Sequence, residues 1–312
     1  MNNLPTDPLN NNYDDEIDLR ELFHVLRGKI FHIGLITSIF SLISIIYALM
    51  LPNIYQSQAI MMAAEDNNTG MSGILGQYGG MASLAGISLP SDSNSKTQEA
   101  IARIKSFEFI SNSFLPRIKL EDLMAVKKWN QANNTLTYDA SVFNSESLQW
   151  VRKASPPRSI IPSLQEAYEE FKKIMAISQD KKTSLITLSV EHESPFIAQQ
   201  WVEIMVEQID QLMRDKDKQT AMNSIEYLNS LVPTVNYEEI KKALSSLQED
   251  QMKRLMMVEA NENYVFKVLD SPIVPEIKSQ PKRALIVILG SILGMILSVL
   301  GVLVFHYTRK SS

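Results

Sequence analysis

The chain has 312 residues, 45% of them hydrophobic and 21% charged, with a formal net charge of -5, no cysteine and a mean hydropathy of -0.07. Without cysteine there is no disulfide, Cys-ligated zinc, iron–sulfur centre or thiol nucleophile. An acidic balance with no basic block speaks against nucleic acid as a partner, because neutralising phosphates takes clustered Lys and Arg.

In chain order, 29 mostly polar residues precede Ile30–Leu51, a run of 22 residues without a formal charge; a second run, Ala284–Tyr307, has 24. As helices these would reach roughly 33 and 36 Å, enough to span a bilayer. The first begins too late and runs too long for a cleaved signal peptide. Arg20, Arg27 and Lys29 precede it, and the next Lys or Arg is Lys96, so the positive-inside rule puts the N-terminus in the cytoplasm. The expected division is a cytoplasmic segment 1–29, a first span 30–51, an extracytoplasmic domain 52–283, a second span 284–307 and a cytoplasmic tail 308–312.

Six of the eleven glycines fall between Gly70 and Gly86, and none between Ile87 and Leu289. Few places for positive-φ turns predict scarce tight hairpins and long helices in the outer domain, with no glycine loop for phosphate or nucleophile chemistry. The Gly70–Gly86 stretch reads as a mobile loop.

Strands are expected at Ile54–Ala63, at Thr183–Val190 with Ile186, Leu188 and Val190 on one face, and at Asn263–Leu269. Helical patterns cover Ser95–Asn112 and Pro162–Met175. Ser194-Pro195 starts a helix, with Ser as N-cap and Pro at N1, which runs to Leu231. Its stripe is Ala198, Val202, Met205, Ile209 and Leu212, continued by Met222, Ile225 and Leu228. Pro233 breaks it. A second helix, Glu238–Asn261, carries Ile240, Leu244, Leu247, Leu255 and Val258, giving an antiparallel hairpin (194–261) roughly 50 Å long. The charged insert Arg214–Lys218 reads as its solvated middle. Such a hairpin cannot bury both faces in one subunit of this size, which implies lateral partners. The fold class is therefore a mixed α/β outer domain with a long helical hairpin, anchored by two transmembrane helices.

No catalytic constellation emerges, and no cofactor or metal site is expected. Of the four histidines only His192 lies outside the membrane regions, and it reads as a solvated strand end. The more specific signal is small-residue packing. Gly290, Gly294, Ser298 and Gly301 share one face of the second span, and Gly34, Ser38, Ser41 and Ala48 form a stripe on the first, as in helices that approach closely. These are the expected oligomer or polymerase contacts. Ahead of the second span a proline-rich segment, 270–283, contains Pro272, Pro275 and Pro281 and ends in the interfacial cations Lys282 and Arg283.

The segments IDLRELFHVLRGK before the first span, PNIYQSQAIM after it, SPFIAQQWVEIMVEQID opening the long helix, and NYVFKVLDSPIVPEIKSQPKRALIVILGSILGMILSVLGVLV at the end resemble the Wzz family. These are class 1 polysaccharide co-polymerases that regulate the chain length of O-antigen or related surface polysaccharides. The resemblance implies a non-enzymatic bacterial inner-membrane protein with a periplasmic α/β base, a helix reaching away from the membrane and a ring-shaped homo-oligomer. It also implies partnership with the membrane polymerase and, through it, with the growing lipid-linked glycan. The proline-rich motif of the family maps onto Pro272, Pro275, Pro281, Lys282 and Arg283. The tyrosine-kinase domain of the related class 2 proteins has no counterpart here. A two-span adaptor for polysaccharide export and a periplasmic sensor are the competing readings.

Overall fold

The computed structural model describes residues 25–64, 92–261 and 263–311. Arg20 and the glycine-rich stretch Gly70–Gly86 lie outside the described residues. The chain separates into two compact units, Pro52–Gln280 and the pair of terminal segments Met1–Leu51 and Pro281–Ser312.

The elements in chain order are α1 (Ile30–Met50), β1 (Tyr55–Ala63), α2 (Asp92–Ile104), α3 (Leu120–Met124), β2 (Val126–Asn130), β3 (Thr135–Tyr138), β4 (Phe143–Asn144) and β5 (Gln149–Trp150). They continue with α4 (Leu164–Ile174), β6 (Met175–Gln179), β7 (Ile186–His192), α5 (Pro195–Leu231), α6 (Glu238–Ala260), β8 (Phe266–Asp270) and α7 (Arg283–Ser311).

Four strands form one antiparallel sheet in the order β6-β7-β1-β8. β1 runs against β7 from Tyr55↔His192 to Met61↔Ile186, and a bulge at Ile60/Met61 adjusts it to β8. Alternation does the rest: Ala59 and Met61 of β1 and Ile186, Leu188 and Val190 of β7 are fully buried. The first half of α5 covers them with Trp201, Val202, Met205 and Ile209, joined by Phe109, Phe114 and Phe171. Phe114 packs at 4.2 Å from Phe171 and edge-on at 6.0 Å to Trp201. Each such side chain removed from water contributes roughly 1.5–3 kcal/mol, so this layer carries the stability of the unit.

The expected long helices are present, with four differences. The helix expected over Ser95–Asn112 ends at Ile104 and passes through short turns to Arg117. Met175, the last residue of the expected helix, instead opens β6, an unexpected edge strand that follows α4 with no intervening residue. The third strand begins at Phe266 rather than Asn263.

Lastly, the glycine-free region forms three hairpins, contrary to expectation. β2–β3, β4–β5 and β6–β7 turn through Asn134 (φ 50°), Leu148 (φ 53°) and Ser184 (φ 58°), so non-glycine residues occupy the left-handed region. Asp180 supports the last turn by accepting from the amides of Lys182 and Thr183 at 2.8 Å, and these bonds hold its carboxyl below the usual carboxylate range.

At about 55 and 35 Å, α5 and α6 form the expected antiparallel hairpin, closed by the 3-10 turn Val232–Thr234. In its outer half the inward residues are Ala221 and Leu228, whereas Met222 is 48% exposed. On α6 only Val258 is buried, and Ile240 and Leu247 face solvent instead of the partner helix. The pairing there is polar, as in Gln248 to Asn229 at 2.9 Å.

Candidate functional site

In the terminal unit, α1 and α7 lie against each other, and both are long and apolar enough to cross a membrane. Few of their residues are buried, which separates them from the core helices of a soluble protein. The contact is made by small residues. A Cβ at Gly290 would come within 1.9 Å of Ser44 Oγ and 2.7 Å of Ser44 Cβ, and one at Gly294 within 2.5 Å of Phe40 Cβ. Ala48 and Ser298 are 2% exposed in the same seam. Four of the eight expected packing residues thus meet within one chain. The others do not: nothing lies within 4 Å of a Cβ at Gly34 or Gly301. Gly34, Ser38 and Ser41 instead line an open groove on α1 with Leu35, Leu42 and Ile45. The α1 stripe therefore divides over two faces, with Ala48 inside the pair and the other three outside it.

The proline-rich segment also divides. Pro272 and Pro275 lie in the unit Pro52–Gln280, where the strap 271–280 is pinned to β1, the residue before it and α5: Ser57 Oγ donates to Ile273 O (2.8 Å), Ile54 N to Gln280 O (3.0 Å), and Gln199 Nε2 to Pro272 O (3.3 Å). Its apolar side chains Ile273 and Ile277 are 71% and 84% exposed. Pro281, Lys282 and Arg283 open α7, where Arg283 Nη2 donates to Leu51 O at 3.4 Å.

The charged insert is not a solvated middle. Arg214 Nη1 donates to Val258 O (2.6 Å) and Asn261 O (2.7 Å), closing the C-terminal carbonyls of α6, while its Nη2 binds Asp210 (2.9 Å). Asp210 Oδ1 in turn accepts the amides of Tyr264 and Val265, both at 2.9 Å. Tyr264 donates its hydroxyl to Asp217 at 2.5 Å, and Lys96 lies 3.5 Å from the Tyr264 ring centroid. Lys216 reaches Glu99 on α2 and Lys218 reaches Glu259. The Lys216 bond holds the Glu99 carboxyl below its usual range. About two and a half turns of α5, Asp210 to Lys218, therefore fasten α6, α2 and the approach to β8. Its partners on other elements lie between 41 residues (Lys218 to Glu259) and 117 residues (Lys216 to Glu99) away along the chain, which is why the sequence pattern alone suggested solvent.

His192 is likewise not solvated, being 4% exposed. Its Nδ1 accepts from Ser194 N–H at 2.9 Å, so Nε2 carries the proton and donates to Asp122 O at 2.9 Å. The ring stands edge-on to Trp201 at 4.8 Å. Burial pushes its pKa below the ordinary histidine value, although the Asp122 carbonyl and the Glu193 charge act the other way. Ser194 is the N-cap of α5, as expected, but without a side-chain cap bond; its amide is engaged by His192. Tyr138 donates to Asp122 Oδ1 at 2.6 Å, and burial together with that bond raises the pKa of its phenol.

Residues 15–113 match the family model of the Wzz chain length determinant protein. The matched segment is 99 of the chain's 312 residues, just under a third of it. It takes in α1, β1 and α2, and so the strand at the centre of the sheet. Among solved structures, a full-length bacterial polysaccharide co-polymerase aligns over 94% of this chain and 99% of its own at 14% identity, with a TM-score of 0.41. A fragment of WzzB, the polysaccharide co-polymerase from Salmonella Typhimurium, aligns over 73% of this chain and 100% of its own at 13% identity and a TM-score of 0.30. No curated protein matches the chain.

Proposed function

We propose that the protein is an inner-membrane regulator of surface-polysaccharide chain length, O-antigen or a related glycan, which acts on the membrane polymerase and performs no bond chemistry itself. The observation that carries this reading is the Wzz match over residues 15–113 of a chain whose two apolar helices pair through Gly290 and Gly294. The unit Pro52–Gln280 is proposed to be periplasmic, with both termini in the cytoplasm, on the charge bias of Arg27 and Lys29.

A homo-oligomer is proposed from the helical hairpin. Tyr227, Tyr237, Ile240, Leu247 and Met256 are 50–73% exposed along it, an apolar surface that copies of the same chain would cover. With Gly290 and Gly294 occupied inside the chain, the α1 groove of Gly34, Ser38 and Ser41 is the face proposed for neighbouring subunits or the polymerase. The hairpin sets the size of the assembly and hence the modal length.

The test is the electrophoretic profile of surface polysaccharide in a deletion strain. A random length distribution, restored to a modal one by the wild-type gene, is expected. Loss of all surface polymer would replace this reading with an export adaptor, and an unchanged profile would remove it.

A further inference from the structure

Beside the start of β1 lies a cleft of about 430 Å³ that neither the core nor the helical hairpin uses. Its wall is aromatic. Trp129 of β2 stands 5.5 Å from Tyr55 at 82° and 6.3 Å from Phe196 at 58°. The indole is held at its edge: Trp129 Nε1 donates to Asn134 Oδ1 at 2.8 Å, and Asn134 is the left-handed residue that turns the β2–β3 hairpin. The same strained residue therefore closes the hairpin and fixes the plane of the ring. Phe196, on the first turn of α5, is 45% exposed although it belongs to an aromatic cluster.

The rim is polar: Lys128, Asn130, Gln131 and Thr137 from the hairpin, and Glu193 from the chain leading into α5. Lys128, Asn130, Gln131 and Thr137 are exposed.

We infer that this cleft is a saccharide-binding subsite, in which a pyranose lies against the Trp129–Tyr55 wall and its hydroxyls meet Gln131 and Glu193. The chemistry selects the ligand class. A sugar ring presents an apolar C–H face and an equatorial rim of hydroxyls. It is matched by a fixed aromatic plane edged with planar amide and carboxylate groups that donate and accept in pairs. A phosphate or polyanion would require an excess of cations, but Lys128 is offset by Glu193. A lipid chain would require an apolar lining, and the rim here is amide and charge. The volume lies within the range of about 300–1,000 Å³ typical of small-ligand sites. Asn53, which also lines the cleft, stands three residues after the end of α1, so the subsite belongs to the part of the outer unit nearest in sequence to the first span.

This inference rests on the chain-length reading and deepens it, because a regulator that grips the glycan acts on the polymer as well as on the polymerase. The test uses the full-length protein in nanodiscs and oligosaccharide released by mild acid from the host's own surface polymer, with sugar-free isoprenoid carrier as control. Saturation-transfer NMR reads the sugar C–H signals, and calorimetry reads affinity. Saturable binding of the oligosaccharide but not the carrier is expected. Trp129→Ala should weaken it at least about tenfold, or about 1.4 kcal/mol, with Trp129→Phe close to wild type and the exposed Gln131→Ala intermediate. Oligomer mass and melting temperature should stay unchanged in Gln131→Ala, which serves if Trp129→Ala folds poorly.

No saturable binding by the wild type would overturn the inference, as would equal binding by Gln131→Ala and Trp129→Ala. A Trp129→Ala protein that changes oligomer mass while Gln131→Ala binds normally would reassign the wall to a subunit contact. If binding fails while the deletion strain still loses modal length, only the cleft is refuted. If length control is unaffected by deletion, the functional reading itself falls.

Discussion

The seam between α1 and α7 makes the sharpest demand on the sequence. At Gly290 even a methyl group would sit 1.9 Å from Ser44 Oγ and 2.7 Å from Ser44 Cβ, and the second of these atoms cannot swing away without moving the α1 backbone. Ser44 Oγ also donates to Phe40 O at 2.9 Å, a bond worth roughly 0.5–1.5 kcal/mol that a rotamer change would forfeit. Overpacking a well-fitted contact costs about 1–3 kcal/mol, so Gly290→Ala should destabilise the helix pair by about 2 kcal/mol. A larger side chain should separate the helices outright. Ser44→Gly removes both offending atoms and should recover most of the loss, giving a coupling of at least about 1 kcal/mol in a double-mutant cycle. The matched controls are Gly34→Ala and Gly301→Ala, which meet no atom within 4 Å and should be neutral or slightly stabilising. Thermal melts of the detergent-solubilised chain read the cycle, and the glycan-length profile reads its functional cost. If Gly290→Ala melts with the wild type, or if Ser44→Gly does not rescue it, the close approach of these helices is not what the glycines are for.

Arg214→Ala should cost about 2 kcal/mol, because two α6 carbonyls and Asp210 lose a shared donor in a partly buried site; hydrogen exchange at the amides of Tyr264 and Val265 should accelerate most. Arg214→Lys should not restore it, since one ammonium cannot replace the fork. With the folded-state pKa of His192 held below 6.5, the unfolded chain takes up a proton first as pH falls. Stability of the outer unit is therefore complete above about pH 6.5 and declines below it, and His192→Gln should flatten this part of the melting-temperature profile. A profile equally steep in His192→Gln would rule the ring out as its origin. Replacing Ile240 and Leu247 together by Ser should lower the oligomer mass in light scattering and cost the monomer no more than about 1 kcal/mol of stability, as both side chains are half exposed and neither belongs to its core.

The two long apolar helices, the helical hairpin and the three principal strands were legible because their signals are local: charge-free runs, Ser194-Pro195, Pro233 and the alternation of Ile186, Leu188 and Val190. β6 was missed because the five residues Met175–Gln179 directly abut a helical pattern that runs to Ile174, and it is pairing with β7 that makes them a strand. The hairpins were missed because a glycine-free region was taken to leave few places for positive φ, and Asn134, Leu148 and Ser184 show the limit of that inference. Arg214, His192 and Trp129 were opaque for a common reason. Each is defined by a partner on another element, so composition along the chain reads them as surface. For the expected packing residues, spacing identified which side chains are small, but not that Gly290 and Gly294 would be used within the chain while Gly34 remains open.

The position of β1 has a consequence for biosynthesis. It is the first strand made after α1, yet it sits inside the sheet, and its neighbours β7 and β8 begin about 130 and 210 residues later. Until Phe266–Asp270 has been synthesised, β1 has an unpaired edge beside the apolar Ile60 and Met61, the kind of edge that pairs with other chains. The sheet is thus closed by the last of its four strands to appear, at high contact order. A chain truncated before β8 should accumulate as aggregate instead of as a smaller folded domain, so synthesis yields a complete subunit or none.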